Sequence, residues 1–159
     1  MHILLADALF TDGTILRDHG IVFDKTILEV APNDDLRSRY GEQCVELGEG
    51  SVLLPGLINS HVHLEFSANR STLTYGEFMP WLSSVIASRD ELINECDDTC
   101  MSRSIEMMLS NGITAFGAVS SYGFDLTPCA EAPQKVVYFN ALIGSDPKMA
   151  DALYGNFQE

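Results

Sequence analysis

At 159 residues, 46% of them apolar and 20% charged, the chain is long enough for one globular domain and too apolar for a disordered one. Its formal charge of -14, from 9 Lys and Arg against 23 Asp and Glu, repels phosphate backbones and anionic bilayers, so nucleic acid and membrane surfaces are disfavoured as partners. The four cysteines, Cys44, Cys96, Cys100 and Cys129, have neither C-x-x-C spacing nor the density of a disulfide scaffold, and a reducing cytoplasm is the expected location. The opening run Ile3-Leu4-Leu5-Ala6 is broken at Asp7 and lacks the basic lead of a signal peptide, and no segment approaches the length of a membrane span.

Residues 1–54 read as short strands separated by turns: 2–10, 14–17, 20–24, 26–31, 43–47 and 51–54. Thr11-Asp12-Gly13 and Asp18-His19-Gly20 are the turn clusters, where glycine supplies a positive φ at little cost. Between them and the next strands, Asn33 to Gly41 predicts one or two helical turns with Asn33 as N-cap and Gly41 as stop.

After Pro55-Gly56 the pattern changes to alternating strand and helix. Residues 57–62 predict a first apolar strand. Phe78, Trp81, Leu82, Val85, Ile86, Leu92 and Ile93 follow the spacing of an amphipathic helix that begins after Gly76. A second helix over about 97–110 places Met101, Ile105, Met108 and Leu109 on one side and stops at Asn111-Gly112. Residues 113–119 and 135–143 predict two more strands, apolar enough to be covered on both faces as in a parallel sheet flanked by helices. A last helix is expected behind Asp146-Pro147. Because a complete (β/α)₈ barrel takes about 250 residues, the pattern predicts a fragment of a longer protein.

The residues that carry chemistry sit at the end of the first of these strands, in Leu54-Pro55-Gly56-Leu57-Ile58-Asn59-Ser60-His61-Val62-His63-Leu64-Glu65-Phe66. Side chains alternate along a strand, so His61 and His63 project to one side and can reach one point in space. A lone buried histidine is usually structural. Two on one strand face, at the C-terminal end of a barrel-type strand, sit where that architecture keeps its active sites, and a metal ion is the natural occupant.

That stretch resembles the amidohydrolase superfamily of metal-dependent hydrolases, whose members open with a small β-sandwich, enter a barrel through an apolar strand bearing Pro-Gly, and end that strand in His-x-His. The cues Leu64-Glu65-Phe66-Ser67, Phe78-x-x-Trp81-Leu82, Asn111-Gly112-Ile113-Thr114 and Val136-Val137-Tyr138-Phe139-Asn140 resemble its deaminase and chlorohydrolase branch, which includes adenosine-derivative and aminofutalosine deaminases. The resemblance implies an α/β fold: a small β-sandwich segment over 1–54, then the first three strands of a (β/α)₈ barrel over 55–159. It implies that His61 and His63 bind a divalent metal, zinc foremost, with iron and nickel equally served by imidazole. It also implies hydrolytic deamination of an aminopurine nucleoside derivative, a small heterocyclic substrate.

In that family two further His, a Glu and an Asp lie on later strands, and no histidine follows His63 here. No catalytic residue is therefore expected within this chain. The remainder of the barrel is expected from the same or another chain, in a protein that can form homo-oligomers. Glu65 shares the parity of the two histidines and is expected to contact substrate or orient a ligand. Phe66 and Trp81 are expected to wall a flat heterocycle. Competing readings are hydrolysis of a triazine-type ring or chloride on the same scaffold, and a catalytically incomplete chain that needs a partner. A cytidine-deaminase-type zinc site from His63-Leu64-Glu65 and Pro128-Cys129 fails at its second cysteine, because position 132 is Ala.

Overall fold

The chain divides into two compact units, Met1–Pro55 and Gly56–Glu159, in a computed structural model that describes residues 1–69, 73–142, 144 and 147–158. Among the described residues no helix is long and apolar enough to cross a membrane.

The first unit is one five-stranded sheet. Strands β1 (His2–Thr11) and β2 (Thr14–Phe23) form a hairpin, β3 (Ile27–Pro32) pairs antiparallel with β2, and the short β4 (Cys44–Glu46) and β5 (Val52–Leu53) lie parallel to β1. Asp12 and Gly13 both take positive φ (49° and 73°), the requirement of a two-residue turn whose twist matches that of the strands it joins. Helix α1 (Asn33–Tyr40) packs Leu36 on Ile3, Leu5, Val22 and Ala31.

Two expectations fail here for physical reasons. Asp18-His19-Gly20 is not a turn, because β2 keeps one register with β1 on either side of it, from Phe23 opposite His2 to Thr14 opposite Thr11, although Asp18 itself takes φ 53° and is skipped in the pairing. Gly20 is glycine for close approach: a Cβ there would collide with the Leu4 carbonyl oxygen and lie 2.8 Å from Leu5 Cδ2 and 2.9 Å from Leu36 Cδ1. Asn33 is the first residue of α1 and not its cap, and its side-chain N–H donates instead to the Ala6 carbonyl at 2.9 Å. Gly41 does end the helix, at φ 54°.

The second unit runs β6 (Leu57–Val62), a 3-10 turn (Leu64–Phe66), α2 (Phe78–Asn94), α3 (Asp98–Ser110), β7 (Ile113–Ser120), α4 (Leu126–Glu131), β8 (Lys135–Asn140), a second 3-10 turn (Pro147–Met149) and α5 (Ala150–Gln158). The three strands form a parallel sheet in the order β6-β7-β8. Asp97 caps α3 by accepting the Cys100 N–H at 2.8 Å, and Gly112 (φ 84°) follows its end. The strand predicted over 135–143 ends at Asn140; Ile143 and Asp146 lie outside the described residues.

Helices α3 and α4 cover one face of this sheet around Phe116, Ala118, Met101, Ile105, Leu64 and Cys129. The composition predicts cover on the opposite face too, and that face is bare: Ile58 is 74% exposed, Val137 58% and Phe139 51%. Helix α2 likewise buries only Leu92 of its predicted apolar face. Apolar strands of this kind are normally covered on both sides, so the pattern in these strands encodes a second covering layer that the described residues of this unit do not themselves supply.

Candidate metal centre

A bulge shapes the strand that carries the two histidines. Along β6 the pairing passes from Asn59 opposite Phe116 to Val62 opposite Ala118, so three steps on β6 face two on β7. Asn59 and Val62 therefore both turn toward the helices: Asn59 Nδ2 donates to Met108 Sδ at 3.6 Å, and Val62 joins the buried cluster. His61 and His63 flank Val62 and face away from it. Bulges at strand ends commonly re-aim side chains in this way, and the Asn59 side-chain oxygen accepts the His61 N–H at 3.3 Å within this one. Gly117 makes room on β7, because a Cβ there would lie 2.5 Å from the Ser60 carbonyl oxygen and 3.2 Å from the Phe139 ring.

The geometry brings His61 Nε2 and His63 Nε2 to 3.1 Å, with ring centroids 5.1 Å apart. Two imidazoles bound to one ion at about 2.0–2.1 Å hold their nitrogens about 2.9 Å apart at a right angle and about 3.4 Å apart at a tetrahedral one. The observed spacing falls between these limits, so the pair fits two adjacent positions of a coordination polyhedron. Among the described residues no group of three or more His, Cys, Asp or Glu is arranged to hold a metal ion. A zinc site takes at least three protein ligands, so these two imidazoles could supply only part of one.

Immediately after His63, Leu64 drops fully into the helix-side core and turns the chain into the 3-10 turn, which carries Glu65 inward. Glu65 is 2% exposed; its Oε1 accepts the backbone N–H of Ser121 at 2.9 Å and lies 3.7 Å from His63 Nδ1. The Glu65 carboxylate holds the His63 imidazole above its usual range, against the opposing pull of burial. Burial is in turn the largest influence on Glu65 and pushes its carboxyl up, but His63 and the N–H groups around it outweigh burial and leave it below the usual range. A carboxylate facing Nδ1 favours the tautomer with the proton on Nδ1, which leaves the Nε2 lone pair directed at the point it shares with His61.

Phe66 is half-buried, with its ring 5.8 Å from that of His63; Trp81 is half-buried and stacks at a tilt on Phe78, centroids 5.7 Å apart. Cys129 lies in the helix-side core, where burial pushes its thiol up to about 12. Three residues that sequence reasoning misses stand beside the site. Ser120 and Asp125 are fully buried, and the Tyr138 hydroxyl donates to Asp125 Oδ1 at 3.0 Å. The one available signal is their position, at or just past the C-terminal end of β7 and within β8, on the side where this layout gathers its chemistry.

The model of the amidohydrolase family matches residues 52–149. An aminodeoxyfutalosine deaminase of a Nitratiruptor species is 45% identical over 159 residues, which is 100% of this chain and 39% of that protein. An adenosine deaminase of Helicobacter pylori is 34% identical over 131 residues, 82% of this chain and 32% of its own length. Among solved structures, the aminofutalosine deaminase of Helicobacter pylori in complex with methylthio-coformycin superposes with a TM-score of 0.82 at 29% identity, covering 99% of this chain and 40% of that one. The chain thus spans under two fifths of the length of these two curated relatives. With more than half of its residues under the family model and the paired histidines at the end of β6, His61 within it and His63 just past it, inside the match, the chain belongs to the amidohydrolase family.

Proposed function

We propose that this chain forms the opening part of a metal-dependent hydrolase that deaminates an aminopurine nucleoside derivative of the aminodeoxyfutalosine or adenosine type. On this reading β6, β7 and β8 are the first three strands of a (β/α)₈ barrel, the bare apolar face of their sheet is the barrel interior, and the five-stranded sheet belongs to a small β-sandwich. The 45% identity to an aminodeoxyfutalosine deaminase along the whole chain supports the substrate class. The observation that carries the reading is the 3.1 Å convergence of His61 Nε2 and His63 Nε2.

The reaction adds water at the carbon bearing the exocyclic amine and releases ammonia. A divalent ion at this site, zinc first and iron or nickel as alternatives, supplies the Lewis acidity that makes water a competent nucleophile near neutral pH. His61 and His63 contribute two of its nitrogen donors. Glu65 fixes the ring of His63 and its tautomer. Phe66 and Trp81 present apolar ring surface to a flat heterocycle. The groups that move protons lie outside these residues, on the remaining strands of the intact enzyme.

Incubating the full-length, metal-loaded protein with aminodeoxyfutalosine, adenosine and methylthioadenosine tests the assignment through ammonia release. Release from at least one of the three is expected. Absence of ammonia from all three, in protein that carries its metal, overturns the deaminase reading.

A further inference from the structure

The C-terminal ends of the three parallel strands are tied together by polar groups of which the assignment above uses only Glu65. Glu65, beyond the end of β6, accepts the Ser121 N–H at 2.9 Å. Ser120, the last residue of β7, accepts the Ala141 N–H through its carbonyl at 2.7 Å and the Gly123 N–H through its hydroxyl at 2.9 Å. The turn those bonds define delivers Asp125, whose Oδ1 takes the Tyr138 hydroxyl of β8 at 3.0 Å. Glu65 is 2% exposed, and Ser120 and Asp125 are 0% exposed, while Ser121 and Tyr138 are half-buried, so the carboxylates and the serine of this polar chain are withdrawn from solvent. Buried carboxylates are costly to keep, and apolar residues of similar size fill such space more cheaply.

We infer that Ser120, Asp125 and Tyr138 are positioning residues for the metal site, acting through the 121–125 turn on Glu65 and through Glu65 on the ring of His63. The inference rests on the reading of His61 and His63 as metal ligands. The direction of action follows from the bond order. Without the Tyr138 hydroxyl, Asp125 loses the one hydrogen-bond partner of its side chain among the described residues, since its Oδ2 has none. The turn can then satisfy that carboxylate only by moving. Such movement shifts the Ser121 N–H, the group that holds Glu65 beside Nδ1 of His63. Groups that orient metal-bound histidines commonly change metal affinity by about 10–100-fold when removed; one step further back, Tyr138→Phe is expected to weaken it by about tenfold at most.

The test uses the full-length protein and compares wild type, Tyr138→Phe, Ser120→Ala and His63→Ala. Zinc affinity is read by competition with a chromophoric chelator, and ligand geometry by the visible spectrum of the cobalt-substituted protein. Tyr138→Phe and Ser120→Ala are expected to bind zinc several-fold more weakly and to shift the cobalt bands, an effect that lowered fold stability alone does not produce. Ser120→Ala, which changes volume least, carries the same expectation if Tyr138→Phe fails to fold. Wild-type affinity and spectrum in the relay variants, with binding lost in His63→Ala, overturn the relay and leave the metal site standing. Wild-type affinity in His63→Ala overturns the ligand reading, and the relay with it.

Discussion

Replacing Glu65 separates its two jobs. Glu65→Gln keeps a carbonyl oxygen that can accept the Ser121 N–H, now held at 2.9 Å, and removes the negative charge 3.7 Å from His63 Nδ1. Glu65→Ala removes both. For the glutamine variant the expected loss is in metal affinity, about tenfold or more, which corresponds to about 1.4 kcal/mol or more of binding free energy. Fold stability changes little, because the Ser121 N–H stays paired. For the alanine variant the half-buried Ser121 N–H loses its carboxylate acceptor, which costs about 1 kcal/mol of stability in addition. The assays are a zinc competition titration and chemical denaturation of the metal-free, full-length protein. A glutamine variant that binds zinc as tightly as wild type refutes the assignment of Glu65 as the group that holds His63, and an alanine variant as stable as wild type refutes a stabilising bond to Ser121.

Gly20→Ala is expected to destabilise the first unit by about 1–3 kcal/mol through overpacking against Leu5 and Leu36, measured by denaturant unfolding; a neutral result contradicts the close-approach account. Arg37 and Arg39 hold Glu46 and Glu29 below the usual carboxylate range by side-chain hydrogen bonds. A carboxyl whose folded pKa is depressed adds stability above its unfolded pKa of about 4.3 and loses it as pH falls through the folded value. The melting-temperature gap between wild type and the Arg37→Ala, Arg39→Ala double variant should therefore shrink on acidification below that range and in high salt; a gap insensitive to both contradicts the pairing. Burial pushes the thiols of Cys96 and Cys129 up to about 11 and about 12, so both should resist iodoacetamide at mildly alkaline pH until the protein is denatured, as read by mass spectrometry of modified peptides. Rapid modification of either in the native state contradicts their burial.

The histidine pair is legible in the sequence because strand alternation is a local rule: two residues apart is enough to aim both rings the same way, and even the bulge in β6 leaves that spacing intact. Strand and helix order in the second unit is legible from equally local signals, the apolar runs of β6 and β7 and the helical spacing of α2 and α3. What local rules cannot supply is the partner across a distance in sequence. Gly20 reads as a turn because nothing nearby announces Leu36 pressing on it from α1. Glu65 reads as open between substrate contact and orienting a ligand because its Ser121 partner lies 56 residues away. Helix α4 leaves no periodic signal because its six residues are too few to establish one, and Pro128 stands within it. The bare faces of β6 and β8 read as covered because their composition demands a cover.

Metal content offers the most direct test. Full-length wild-type protein, and its His61→Ala and His63→Ala variants, should be purified, equilibrated with zinc, freed of loose ion and analysed for metal per chain by mass spectrometry. Stoichiometric zinc in wild type with marked loss in both variants is the expected result, and full retention in both, with the fold intact, contradicts the claim that these two nitrogens share one ion.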